Sequence, residues 1–277
     1  MTLNASAAMI KGSVKDTEGR PVAGVVVTDG LNTVKTDAKG RFRMDADDDS
    51  RFVYISTPSG YVSATLEGKT LFYKEISEDI RKYDFIVRKN EKDDTNHNLI
   101  VIADPQISER SELPELQKHA DDITAFVGQY DKDYTFGLCL GDIVGWDHSI
   151  YPEYNRIMNG SGFEYRYVIG NHDMTNYGRS FETSMKNYED MYGPCWYSFN
   201  VGNVHYIVLN NNFYVGRDYF YIGYIDERQL RWLENDLSYV PEGSRVIVSM
   251  HIPTTMDKSD RDAFQYGVIG DNLCNKP

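Results

Sequence analysis

Residue types that bind divalent cations occur at four places in the second part of the sequence, each time directly after a short apolar run. They are Asp104 with Gln106, Asp142, Asn171 with His172, and His251. Carboxylate and amide oxygens and imidazole nitrogens are the usual protein ligands of Mg²⁺, Mn²⁺, Fe and Zn²⁺. A glycine precedes both Asp142 and Asn171, which lets the backbone turn sharply and approach a cation. The spacing therefore predicts a metal site assembled from distant segments.

Hydrophobic patterning predicts the elements that must position these residues. Short apolar runs are typical of buried strands, and they lie at residues 99–103, 136–140, 165–169, 204–209 and 246–250. Apolar residues at helical spacing predict helices over residues 113–130 and 229–237. Strands that alternate with helices indicate an α/β layered domain, with its site at the carboxyl edge of the strands.

The first 88 residues have a different pattern of apolar and turn residues. Short strands are predicted at residues 10–14, 25–27 and 42–44, separated by turns that contain glycine, and this spacing indicates a small all-β sandwich. The acidic residues 45–49 are either a Ca²⁺ site or a solvated turn, and the lack of a Ca²⁺-loop spacing favours the turn. We predict an accessory β-sandwich at 1–88, a polar linker at 89–98 and a second domain at 99–277.

Composition restricts the classes of ligand. The formal net charge of −13 disfavours nucleic acid as a general ligand, because like charges repel. A small phosphate ester remains compatible, since bound metal ions dominate the field at contact distance. No apolar run approaches the ~18 residues that a membrane span requires, so none is predicted.

Localisation stays open at this point. The first residues lack the basic start and apolar stretch of a signal peptide. We expect a periplasmic, secreted or cell-surface protein if a signal peptide has been removed, and a cytoplasmic one otherwise. The cysteines at 139, 195 and 274 are too widely and irregularly spaced for a disulfide framework.

The ordered blocks D-P-Q at 104–106, G-D at 141–142, G-N-H-D at 170–173 and the lone His251 resemble the calcineurin-like metallophosphoesterase superfamily. A D-x-x-Q-x-x-W-L segment at 226–233 is similar to that family as well. The resemblance implies a β-sandwich core flanked by helices and two divalent ions (Mn, Fe, Mg or Zn) that act on phosphate monoesters or diesters.

The same resemblance implies a role for each site residue. Asp142 would bridge the two metals and Asp104 would hold the first. Asn171 and His251 would hold the second. His172 would contact the phosphate and stabilise or protonate the leaving oxygen. The pattern K-G-x-V-x-D-x-x-G-x-P-V with T-D-x-x-G-x-F, within residues 10–42, resembles the carboxypeptidase-regulatory-like (transthyretin-like) β-sandwich.

Two features depart from the family pattern. Gln106 stands where a histidine ligand is usual. It is either a ligand through its amide oxygen, which would favour Mn²⁺, Mg²⁺ or Fe, or a donor that orients a water. The family's final G-H-x-H does not occur up to residue 277. We therefore expect a C-terminally truncated catalytic domain that belongs to a longer protein.

Other residues have alternative interpretations. His148 lines the pocket or is an ordinary loop histidine, whereas His205 and Asp173 are expected to be structural. The tyrosines at 214, 219, 221 and 224 stack on a base or sugar, or fill a long insertion. The partner is a small phosphorylated molecule or a phosphoprotein, with the oligomeric state undecided. The alternative function is a catalytically inactive binding module with this fold.

The missing histidines generate a prediction. Because G-H-x-H would supply one ligand to each metal, the 277-residue chain alone should hold metal weakly and turn over little or no substrate. Metal analysis and a phosphatase assay test this expectation, and full turnover by this chain would contradict the ligand argument.

Overall fold

A computed structural model describes residues 9–66, 69–130, 133–175, 177–216 and 220–254. The N-terminal region contains ten strands: β1 (Met9–Asp16), β2 (Val26–Thr28), β3 (Thr33–Lys35), β4 (Arg41–Asp45), β5 (Phe52–Ile55), β6 (Tyr61–Ser63), β7 (Thr65–Leu66), β8 (Lys69–Thr70), β9 (Tyr73–Glu75) and β10 (Tyr83–Lys89). One sheet has the order β4-β1-β10-β6 and another β3-β2-β5-β9, while β7 and β8 form a hairpin. A β-rich N-terminal region, and the three strands predicted within it, are confirmed.

Period-two patterning forms these sheets. Ile10 and Val14 of β1 point inwards and pack with Phe42 of β4 and Phe85 of β10, while Lys11 and Lys15 are exposed. β1 pairs with β10 in parallel and with β4 in antiparallel register.

The second region contains the strands β11 (His97–Ile102), β12 (Tyr134–Cys139), β13 (Tyr165–Tyr167), β14 (Tyr197–Val201), β15 (Val204–Val208), β16 (Asn212–Gly216), β17 (Phe220–Gly223) and β18 (Arg245–Ser249). Its α-helices are α1 (Leu113–Val127), α2 (Tyr151–Asn159), α3 (Phe181–Ser184), α4 (Lys186–Tyr192) and α5 (Glu227–Leu237). Single 3₁₀ turns occur at Arg110–Glu112, Gly128–Tyr130 and His148–Ile150. Each strand and helix predicted in this region is present, with ends shifted by a few residues.

Two three-stranded sheets organise this region. The first is fully parallel, in the order β11-β12-β13, and the second has the order β14-β15-β18, in which β15 and β18 are parallel. Aromatic rings pack between the facing sides of the two sheets. The ring of Phe136 lies edge-on to those of Phe199 and Tyr206, with ring centroids 5.6 Å and 5.2 Å apart. β16 and β17 form a separate hairpin.

Helices cover the outer side of each sheet. Cys139 and Tyr165 of the first sheet share a core with Ala120 of α1 and Tyr154 of α2. Ile207 of the second sheet packs with Trp232 of α5. The strand order and the helices thus bring the carboxyl ends of β11, β12 and β13 to one edge.

Two strands that we predicted to be buried are edge strands. In β18, Val246, Ile247 and Val248 are 41%, 39% and 45% exposed. In β11, Val101 is also exposed. Each strand has a hydrogen-bonded neighbour on one side only among the described residues, so an apolar run here does not mean a buried strand.

The N-terminal region shares a hydrophobic core with the second region. Phe72 contacts Tyr197 with ring centroids 4.7 Å apart. The buried guanidinium of Arg166 lies 4.9 Å from the ring centroids of both Phe72 and Phe199. Trp196 donates its indole N–H to the carbonyl of Gly30 at 3.0 Å. The two regions therefore form one packed unit.

The domain boundaries themselves stay predictions. β10 ends at Lys89 and β11 already begins at His97, within the predicted linker. Residues 255–277 of the predicted second domain, with Cys274, lie outside the described residues, as do residues 1–8 and Tyr219. Across the described ranges, no helix combines the length and apolar character needed to cross a membrane.

The shared core generates a stability prediction. Phe72→Ala should lower the free energy of unfolding by about 3–5 kcal/mol, because it opens a cavity between the two regions. All three tryptophans lie after residue 99, so tryptophan fluorescence in a denaturant titration reports on the second region and, through Trp196, on its contact with the first. Leu66→Ala, at an exposed site in the N-terminal region, is the control and should change stability by less than about 0.5 kcal/mol. A fluorescence transition that Phe72→Ala leaves unmoved would mean that the regions unfold independently.

Candidate metal centre

Metal-ligand side chains from separate strands converge at one edge of the two sheets. Asp104 follows β11, Asp142 follows β12, and His251 follows β18. Each offers one ligand atom, and these three atoms lie within 4.8 Å of one another. Two oxygens and one nitrogen at this spacing could hold a divalent ion.

His251 is oriented as a metal ligand would be. Its Nδ1 donates to the carbonyl of Leu140 at 2.8 Å, which directs Nε2 towards the site. That Nε2 lies 3.0 Å from Oδ1 of Asn171 and 3.5 Å from Oδ1 of Asp142. An imidazole nitrogen, an amide oxygen and a carboxylate oxygen this close together are a donor set that fits a divalent metal ion.

Asp142 is the most connected of these residues. Its Oδ1 accepts a hydrogen bond from the backbone N–H of His172 at 2.8 Å. Its Oδ2 accepts from Nε2 of Gln106 at 2.8 Å. Gln106 thus turns its amide nitrogen, not its oxygen, towards Asp142. A ligand role for Gln106 stays a prediction, and its observed contact is that of a donor.

Backbone strain is concentrated around this edge. Positive φ angles occur at five non-glycine residues of the described ranges: Asp104 (50°), Gln106 (42°), Asp142 (52°), Trp146 (77°) and Phe220 (63°). The first four lie in the loops after β11 and β12, and Phe220 contacts Trp146. Such strain persists only where surrounding contacts enforce it, and it is typical of functional sites.

Two glycines make the close approach of these loops possible. A Cβ on Gly170 would lie 2.1 Å from Oδ1 of Asp142, and one on Gly141 would lie 2.7 Å from Nδ1 of His251. Gly141 also has a φ of 95°. The glycines before Asp142 and Asn171 therefore have the function that the sequence predicted for them.

Asp173 joins the loop after β12 to the loop after β13 through hydrogen bonds. Its buried carboxylate accepts hydrogen bonds from the backbone N–H of Ile143 at 3.1 Å and of Gly170 at 2.9 Å, and from the hydroxyl of Tyr151 at 2.9 Å. Burial raises the pKa of Asp173 to about 7, the hydrogen bond from Gly170 opposes that rise, and the charge of Asp142 adds to it. Asp173 orients the loops, as expected, and does not face the candidate metal.

Residues 8–90 match the family described as N terminal of Calcineurin-like phosphoesterase. This match supports the calcineurin-like superfamily from a part of the chain that carries none of the candidate ligands. That family is metal-dependent, in agreement with the Asp104, Asp142 and His251 cluster. A comparison with curated proteins gave no match. The transthyretin-like resemblance of the same residues stays a prediction.

Two further histidines, His148 and His205, have structural partners. Nε2 of His148 donates to the carbonyl of His172 at 3.0 Å, and its Nδ1 accepts from Asn187 at 2.7 Å. Burial lowers the pKa of His148, which favours this neutral form. His205 lies away from the site, hydrogen-bonded to Asp236 at 2.7 Å, and is structural as expected.

Sequence reasoning missed a buried asparagine run that supports the site. Asn211 exchanges two hydrogen bonds with the backbone of Ile252, beside His251. Asn212 donates to the carbonyl of Ile169, two residues before Asn171. Gln229 of the D-x-x-Q-x-x-W-L segment holds the backbone of Asn210 through both ends of its amide. Three consecutive asparagines after a buried strand were the available signal.

The position of Asp173 generates a metal-binding prediction. Asp173→Asn should weaken Mn²⁺ binding by about 10–100-fold, because its amide NH₂ would meet a backbone N–H and loosen the two loops. Isothermal titration calorimetry on the full chain measures the affinity. Asp121→Asn, on the exposed side of α1, is the matched control and should bind Mn²⁺ like the unaltered protein. Equal affinities of the two variants would contradict the prediction.

Proposed function

We propose that this protein hydrolyses phosphate esters, as a phosphomonoesterase or phosphodiesterase, with two divalent ions in a layered catalytic domain of the calcineurin-like type. The observation that carries the proposal is the convergence of Asp104, Asp142, Asn171 and His251 at one sheet edge, with His172 beside them. The family match over residues 8–90 adds independent support.

The protein's own residues would divide the work as follows. Asp104, Asp142, Asn171 and His251 would hold Mn, Fe, Mg or Zn ions. When bound, such ions neutralise phosphoryl oxygens and lower the pKa of a bound water. His172 lies next to the candidate metal site, with its Nε2 3.9 Å from Oδ2 of Asp142. It would give a proton to the leaving oxygen of the phosphate ester. Its ring is partly exposed, so a substrate can reach it.

The substrate is a small phosphorylated molecule or a phosphoprotein in this proposal. The net charge of −13 repels a phosphate group at long range, so the metal ions would have to supply its attraction to the site. Nucleic acid as a general ligand does not fit that charge.

One observation favours a second function, that of an inactive binding module. Gln106 donates to Oδ2 of Asp142, an oxygen that a bridging carboxylate would direct to metal. In a module without turnover this contact would persist when ligand binds. Metal analysis of the full-length protein separates the two functions, since two tightly held ions favour the enzyme and none favours the binding module.

The enzymatic proposal is tested with p-nitrophenyl phosphate and bis-p-nitrophenyl phosphate. The full-length protein with Mn²⁺ should hydrolyse at least one of them, and a chelator should abolish turnover because it removes the ions that would activate the phosphate. His172→Ala should lower kcat by about 10²–10⁴-fold through loss of the proton donor. His119→Ala, an exposed histidine of α1, is the control and should retain full activity. Activity that survives both the chelator and His172→Ala would refute this mechanism.

A further inference from the structure

His172 is held through its backbone, but its ring lacks the usual hydrogen-bonded support. The backbone N–H donates to Asp142 at 2.8 Å, and the carbonyl accepts from His148 at 3.0 Å. Nδ1 of the ring is buried and has no hydrogen-bond partner within the described part of the chain. A histidine that transfers protons from one ring nitrogen is normally oriented by an acceptor at the other. Another contact must therefore limit rotation of this imidazole.

That contact is the indole ring of Trp146. The ring centroids of Trp146 and His172 lie 4.4 Å apart, at an interplanar angle of 40°. Phe220 of the β16–β17 hairpin supports the indole, with ring centroids 5.5 Å apart. An aromatic face against an imidazole restricts the imidazole's rotamers by packing alone.

Backbone conformation shows that this position is imposed by the tertiary structure. Trp146 and Phe220 have φ angles of 77° and 63°, in a region that bulky residues rarely occupy. The two strained aromatics belong to one cluster, in which Trp146 lies against His172 and Phe220 lies against Trp146. Local preference alone would place neither of them there.

We propose that Trp146 is the positioning residue of His172, and that stacking does here what a hydrogen-bonded acceptor at Nδ1 does in other proton-transferring histidines. The proposal rests on the phosphoesterase function. A water oxygen forms a bond to phosphorus while the bond to the leaving oxygen breaks. His172 gives its Nε2 proton to that oxygen, the attacking water releases one of its protons to solvent, and His172 then recovers a proton from solvent. Trp146 keeps Nε2 directed to the side of Asp142, where this transfer occurs.

The kinetic test compares phenyl phosphate with p-nitrophenyl phosphate on the full-length protein. The phenolate leaving group needs a proton far more than the nitrophenolate does, so loss of His172 orientation must affect phenyl phosphate more. Trp146→Leu should lower kcat for phenyl phosphate by about 10–100-fold and for p-nitrophenyl phosphate by less than about 3-fold, with KM little changed. Trp146→Phe keeps an aromatic face and should recover most of the loss. Tyr177→Leu, at a residue that is 91% exposed, is the control.

A double-mutant cycle sharpens this test. If Trp146 acts through His172, adding Trp146→Leu to His172→Ala should cause no further loss. Equal losses on the two substrates, or additive losses in the double variant, would overturn the proposal and leave Trp146 as ordinary packing. A fully active enzyme that His172→Ala does not affect would instead refute the proposed catalytic mechanism, which is a distinguishable failure.

A readout without turnover covers variants or chains of low activity. The indole ring current should shift the imidazole C–H resonances of His172 upfield in a proton–carbon NMR spectrum of the six histidines. His172→Ala assigns the resonance. Trp146→Leu should return it to the ordinary position, and Trp146→Phe should keep part of the shift. An unshifted His172 resonance in the unaltered, folded protein would overturn the stacking and with it the proposal.

Discussion

Asp142 places a carboxylate at the junction of the loops after β12 and β13, where only 2% of the residue is exposed. A carboxylate removed from water must be compensated by donors or cations, or the fold loses several kcal/mol. The chain provides the backbone N–H of His172 and the amide of Gln106, and no lysine or arginine pairs with Asp142 among the described residues. The remaining compensation fits a bound cation. Three features bring the ligand loops close to this one carboxylate. They are the glycines before Asp142 and Asn171, the positive φ angles, and the hydrogen bonds of Asp173.

The N-terminal region contributes to the same architecture from a distance. Its sheets share a core with β12, β14 and β15, and Arg166 lies buried between Phe72 of one region and Phe199 of the other. The strands that present the candidate ligands are thereby stiffened on the side opposite to the helices. A region that resembles an accessory module in sequence is thus part of the support of the site, which gives a physical reason for its presence beside it.

The site also shows how strain and packing are balanced. Five non-glycine residues of the described ranges have positive φ angles, and each such conformation costs on the order of 1–3 kcal/mol. The compensation comes from hydrogen bonds and aromatic packing in the same place, such as the bond of Gln106 to Asp142 and the stack of Trp146 on His172. Each of these contacts limits the motion of a residue that the proposed chemistry would use.

The sequence by itself determined the strands that lead to the candidate ligands, the helices α1 and α5, and the kinds of residues at the strand ends. These follow from local patterns: apolar runs form strands, and glycines before Asp142 and Asn171 permit the tight approach that Gly170 makes. Parallel pairing brings the ends of β11 and β12, with Asp104 and Asp142, together, whereas His251 comes from β18 of the other sheet. Only the tertiary structure decided that Gln106 turns its nitrogen to Asp142, that Trp146 covers His172, that β18 is an exposed edge and that both regions share a core. These outcomes depend on contacts between residues far apart in the chain, such as Phe72 with Tyr197. Local periodicity carries no information about which distant side chain will meet which, because that is fixed by how whole sheets pack.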